Sequence, residues 1–243
     1  MTQSSNPSLI VEPEVPPTQG ALPVWTKVFT KPGEKTFLEI TGHPEAKARS
    51  AYLWVFLVGT LTGLIGGLTQ FIAALVGLRS AVPEIGQISG FSGIFGTAGL
   101  IGAICGAPLA GLFSLIGFVL GVAILHATAK FLGGQGTFDQ MAYAFGAVVA
   151  PLSLVTGLLV PFNLIPFAAL CTLPLFLLLG LYAIYLEVAA TKAIHKFGWG
   201  GAAAAFFLPA ILIGLLCGVI SLGLLKIAGP SLNGIFGQMR PGL

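Results

Sequence analysis

Seven side chains able to carry charge or move a proton fall at the ends of long apolar runs: His126, Lys130, Asp139, Tyr143, Glu187, Lys192 and His195. Ionisable groups at the rim of a membrane-crossing segment are energetically expensive, so they mark candidate functional positions. His126 and Lys130 stand at i and i+4, as do Asp139 and Tyr143, so each pair shares one helix face. The structural alternative is ordinary helix-end chemistry: Asp near an N-terminus and Lys near a C-terminus both suit the helix dipole, and long side chains snorkel to water. Glu187 is different. It lies more than a turn inside Lys192, so it is expected to face the bundle and to pair with Lys130 or His126.

Enzyme signatures are missing. There is no His-Glu-x-x-His, no Gly-x-Ser-x-Gly and no P-loop. His43, His126 and His195 are too dispersed for a metal site, and His43-Pro44 reads as a turn. Gly133, Gly134, Gln135 and Gly136 resemble a phosphate-cradling loop, but no strand precedes them and no Lys-Ser/Thr follows. They read as a flexible turn, with Thr137 as a helix N-cap and Asp139 in the first helical turn. Cys105, Cys171 and Cys217 all sit in apolar runs, which implies buried thiols and no disulfide framework. The expectation is therefore no catalytic residues, no cofactor and no metal.

The elements that must position these groups follow from composition. Of 243 residues, 56% are hydrophobic and only 8% charged, with a mean hydropathy of +0.97. A soluble domain carries about 25% charge, so the chain is expected to be an all-α polytopic membrane bundle. A net charge of +3 is too small and scattered for nucleic-acid binding. The expected partners are the lipid bilayer, a protein docking at the cytoplasmic face, and a second copy of the chain.

Ten of the charges fall in residues 1–49. Residues 1–20, rich in Ser, Pro, Gln and Glu, are expected to be a disordered tail and lack the apolar core of a signal peptide. In residues 21–49, Trp25, Val28, Phe29, Phe37 and Ile40 alternate with Lys27, Lys31, Lys35 and Glu39, a texture that suits either an amphipathic segment at the water–lipid boundary or a solvated linker with a few anchoring aromatics. The membrane domain then occupies 50–228, and 229–243 form a short exposed C-terminal tail.

About 20 apolar residues cross a bilayer as a helix. Ser50–Leu78 and Phe197–Leu225 each supply one crossing. The run between Asp139 and Glu187 supplies two, Gln140–Leu159 and Phe167–Thr191, turned by Pro161, Asn163 and Pro166. Glycines at 90, 93, 96, 99 and 102 do not keep one helical face. Gly90–Gly106 is therefore expected to be interfacial or re-entrant, and Leu109–Ala129 to be the second span. Five crossings with a cytoplasmic N-terminus put eight Lys and Arg inside and three outside, a better positive-inside ratio than six crossings give. The C-terminus then faces outward. Small-xxx-small ridges should let helices touch: Gly59, Gly63 and Gly67 on the first span, Gly117 and Gly121 on the second, Gly214 and Gly218 on the fifth.

These segments together resemble the Yip family of Ypt/Rab-interacting membrane proteins, and more closely its bacterial-type members. The resemblance is carried by Phe29-Thr30-Lys31-Pro32 with Thr36-Phe37, by the run Leu125 to Phe138, by Tyr143 to Pro151, and by Tyr185 to His195 followed by Gly200-Gly201-Ala202. It implies a five-helix membrane domain with a cytoplasmic N-terminus, and for a bacterial source the plasma membrane. Eukaryotic relatives are associated with Rab GTPases. Their Asp-Leu-Tyr-Gly-Pro motif has no match in residues 1–49, and Ala144 to Ala147 replace their Gly-Tyr-Ser pattern, so that role is not implied here. The expected function is a non-enzymatic membrane organiser or adaptor; the alternative is a small transporter or lipid-handling permease.

Overall fold

The computed structural model describes residues 20–75, 99–165 and 167–238, and these are helices joined by short turns. The expected disordered tail, except Gly20, lies outside the described residues. Two short helices, α1 (Ala21–Thr30) and α2 (Glu34–Thr41), precede five long ones: α3 (Ala48–Leu75), α4 (Gly99–Phe131), α5 (Phe138–Leu159), α6 (Ala168–His195) and α7 (Trp199–Gln238). All five long helices are long and apolar enough to cross a membrane. A 3-10 turn, Val160–Leu164, makes the tight reversal between α5 and α6 that Pro161 and Asn163 foretell.

Contacts run α3 to α4, α4 to α7, α7 to α6, α6 to α5 and α5 back to α3, so the five helices close a ring. Large apolar side chains such as Leu61, Leu120, Leu178 and Leu215 point outward and exposed, as a lipid-facing surface requires. One end of the ring collects the start of α3, the α4–α5 loop and the α6–α7 turn. The α1–α2 hairpin packs on α5 and α6 and caps that end.

The first crossing is held by absent side chains. A Cβ added at Gly59 would lie 2.7 Å from the Ser114 Cβ, and one at Gly67 would lie 2.9 Å from the Ala103 Cβ. Gly63 abuts Ala107 and Ala110, and on the opposing helix Gly111 lies against Thr60 and the Phe56 carbonyl. The ridge expected on α3 is thus seated along α4. On α5, Gly146 fits against Ala51 and Gly157 against Thr62, two contacts not foreseen.

Several expectations change. Gly99 to Gly106 are continuous with α4, which starts well before the second span expected at Leu109; residues 90–98 lie outside the described residues. The glycine period misled because Ala103, Ala107, Ala110 and Ser114 recur every three or four residues and form the face that meets α3. Gly117 and Gly121 have no neighbour where a Cβ would stand, and neither do Gly214 and Gly218. Near the capped end larger groups take over the α3–α4 contact, with Tyr52 and Phe118 rings 6.4 Å apart and Val122 buried. The last helix continues through Gln238, beyond the tail boundary expected at 228; residues 239–243 lie outside the described residues.

The apolar face of residues 21–49 also has a different destination. Val24, Val28, Phe37 and Ile40 are almost wholly buried against the bundle, so protein covers the face expected to meet lipid. Forcing a methyl into a filled contact costs about 1–3 kcal/mol, whereas Gly to Ala in an open helix position gains about 0.5–1 kcal/mol. Gly63→Ala should therefore lower the thermal unfolding midpoint in detergent, while Gly117→Ala should leave it unchanged or raise it.

Candidate functional site

The capped end brings most of the seven candidate residues to one level but divides them among separate contacts. At its centre is His195, the last residue of α6 and 1% exposed. Its Nδ1 accepts the Gly136 backbone N–H at 3.2 Å, which places the ring proton on Nε2, facing the Met141 sulfur at 3.3 Å. The His195 carbonyl accepts the Gln135 N–H. The rings of His126 and Phe197 lie 5.2 and 5.7 Å from the imidazole.

This arrangement explains the glycines of the α4–α5 loop. Gly133 has φ +90, a left-handed conformation that side chains disfavour. A Cβ on Gly134 would lie 2.5 Å from His195 Nδ1, and Gly136 presses on Ile194. The loop is therefore pinned to the end of α6 and is not the flexible turn its composition implies. It then starts α5 with the expected cap: Thr137 accepts the Gln140 N–H, and the Gln140 side chain accepts the Thr137 N–H, a reciprocal capping box.

The other groups have their own partners. Asp139 accepts the backbone N–H of Ala48 at 3.4 Å, so its carboxylate serves the first turns of both α3 and α5, where two helix dipoles favour an anion. Lys192 pairs with Glu34 of α2 and lies 5.2 Å from the Trp199 ring centroid. Tyr143 packs on Trp54 at 5.1 Å, and Trp54 meets the edge of Trp25 of α1 at 5.9 Å. Lys130 is exposed on α4. Lys27 bridges α1 to Glu39 of α2, and the Tyr182 hydroxyl donates to the Phe29 carbonyl at 2.9 Å. Glu34, Trp54 and Met141 were not foreseen as members of this end. Only the glycine run beside a His-bearing helix could have hinted at the loop's anchor.

Glu187 does not pair with Lys130 or His126. Among the described residues its carboxylate has no hydrogen-bond or ion-pair partner; only its main-chain carbonyl is engaged, by the Thr191 hydroxyl. The spacing argument failed because it fixed depth and not direction: Glu187 faces α5, on a side of α6 that neither His126 nor Lys130 reaches. It lines an open cleft of about 240 Å³ between α5 and α6, with Ser153, Thr156, Phe176, Leu179 and Gly180.

Chemically, the capped end is built mainly of paired contacts, while the Trp25 Nε1 and His126 Nδ1 atoms are buried without a hydrogen-bond partner among the described residues. Among the described residues no three His, Cys, Asp or Glu side chains gather as metal ligands. Its pairs join elements distant in sequence: Lys192 to α2, Asp139 to α3 and His195 to the α4–α5 loop. Residues 26–222 match the Yip1 domain family. The chain belongs to that family. The match is to the family as a whole and singles out no bacterial subgroup. No curated protein and no solved structure matches the chain. The Yip1 domain begins inside α1 and ends inside α7, so most of the hairpin, the pairs just described except that of Trp25 with Trp54, and the α5–α6 cleft fall within it. With its five apolar helices, the protein is a multi-pass integral membrane protein of the Yip type.

The weight of the His195 anchor is measurable. His195→Phe keeps a ring of similar size but leaves the buried Gly136 N–H without an acceptor, at a cost of about 1–3 kcal/mol. The variant should unfold at lower temperature in detergent and exchange the Gly136 amide faster. An unchanged Gly136 exchange rate would show that the loop holds without this bond.

Proposed function

We propose that this Yip1 domain is a non-enzymatic membrane organiser or adaptor whose capped end faces the cytosol and docks a protein partner. The observation that supports it is the state of the N-terminal segment. Its apolar face is spent on the bundle, through Val24, Val28, Phe37 and Ile40, and its other face is held outward in a fixed shape. That outward face presents Lys31, Lys35 and Leu38, all exposed. A preformed surface loses little conformational entropy on binding, which favours recognition by a partner over simple lipid contact. The positive-inside ratio of eight to three supports the cytosolic placement of this end and the opposite placement of the C-terminus. Gly117, Gly121, Gly214 and Gly218, open in the single chain, are the ridges on which a second copy would pack.

The second reading, a small transporter or lipid-handling permease, is favoured by one feature, the cleft reaching Glu187. It lies between two neighbouring helices and is lined mostly by apolar side chains, which suits a lipid better than an aqueous solute.

Crosslinking and affinity capture from native membranes test the adaptor reading. The double variant Lys31→Glu with Lys35→Glu changes exposed side chains only, so its unfolding midpoint should stay within about 0.5 kcal/mol of the parent. Capture of the partner should fall at least about fivefold, as expected when rim charges of an interface are reversed. Undiminished capture would remove the hairpin as the docking surface.

A further inference from the structure

Glu187 sets an electrostatic problem that the protein alone leaves open. It lies about two turns before the end of α6, in a crossing of high apolar content, at a depth where an unpaired carboxylate is costly. The cations of the neighbourhood are occupied or out of reach. Lys192 is bound to Glu34, Lys27 to Glu39, and exposed Lys130 sits on α4, which does not line the cleft. The His126 and His195 rings lie 5.2 Å apart at the loop, tilted at 45° to each other. The Glu187 carboxylate is therefore left free for a cationic ligand from outside the chain, in a cleft lined by α5 and α6 of the membrane-crossing bundle.

The cleft is graded in polarity. Glu187 and the Ser153 hydroxyl, which has no hydrogen-bond partner among the described residues, are its polar groups toward the capped end. Leu179 and Phe176 line it deeper in, with Phe176 about 16 Å below Glu187 along the helix axis. Gly180 leaves the space between them unfilled, since a Cβ there would meet nothing within 4 Å. The 240 Å³ volume is about eight times the space one water occupies in the liquid, enough for a small headgroup and the start of one chain.

We propose that the α5–α6 cleft binds a phospholipid with a primary ammonium headgroup, the ammonium on the Glu187 carboxylate and an acyl chain along Leu179 and Phe176. A primary ammonium brings positive charge and three N–H donors to a carboxylate and a hydroxyl that otherwise lack partners. A quaternary choline headgroup has the charge without the donors. An anionic headgroup meets like charge. Binding here needs neither transport nor the docking surface on α1 and α2, so the Lys31→Glu, Lys35→Glu variant keeps it.

The test uses the full chain in nanodiscs containing equal parts of phosphatidylethanolamine, phosphatidylcholine and phosphatidylglycerol, with retained lipid counted by native mass spectrometry. Phosphatidylethanolamine should be retained over phosphatidylcholine by about tenfold, the scale of a hydrogen bond to a charged group. Glu187→Gln should erase that preference. Gly180→Leu, whose Cβ enters open space and whose side chain would occupy the cleft, should reduce retention of every lipid while leaving the unfolding midpoint in place. Equal retention of the ethanolamine and choline lipids overturns the proposal, and so does a preference that survives Glu187→Gln. Preferred retention of phosphatidylglycerol also overturns it, by assigning lipid contact to the lysines of the capped end.

Discussion

A helix in a bilayer gains little from meeting another unless the two backbones can come close, because lipid tails satisfy apolar side chains as well as protein does. The α3–α4 contact answers this constraint by omission. Gly59, Gly63 and Gly67 offer no side chains, and Ala103, Ala107, Ala110 and Ser114 offer small ones, so main chain lies against main chain over several turns. Because α3 also touches α5 through Ala51 and Thr62, it is the post on which the ring is organised. Where the small residues stop, near the capped end, the Tyr52 and Phe118 rings and Val122 fill the contact instead.

At that end the protein uses polar contacts that would be costly at mid-depth. His195 ties the α4–α5 loop to the end of α6, Asp139 ties α5 to α3, and Lys192 and Tyr182 tie α6 to the hairpin. Each contact joins elements far apart in sequence, so the end is a clasp for the whole ring. Of the polar groups read from the sequence as candidates for chemistry, Asp139, Lys192 and His195 are engaged in this clasp. Glu187 stands apart from it, and its isolation is what gives the α5–α6 cleft a chemical character.

Much of the framework is legible in the residues because it depends on local rules. Crossing lengths follow from charge spacing, the start of α5 from Thr137 and Gln140, and the α5–α6 reversal from Pro161 and Asn163. The ridge of Gly59, Gly63 and Gly67 is equally visible, since every fourth position shares a face. What stays hidden is direction. Gly117 and Gly214 have the same spacing as the seated glycines, but a ridge does not say whether a neighbour stands opposite it. Likewise Glu187 can be placed in depth by counting, while its partner depends on which way α6 is turned. The start of α4 was misread because glycine is conspicuous in a sequence and alanine is not.

The seating of the hairpin has a consequence for how the molecule is made. Translation delivers α1 and α2 first, yet the surface that receives Val24, Val28, Phe37 and Ile40 is built by α5 and α6, which leave the ribosome more than a hundred residues later. Through that interval these side chains have no native site. The N-terminal segment can therefore take its native seat only once the fourth crossing has been made, so the first helices to leave the ribosome are not the first to reach their final contacts.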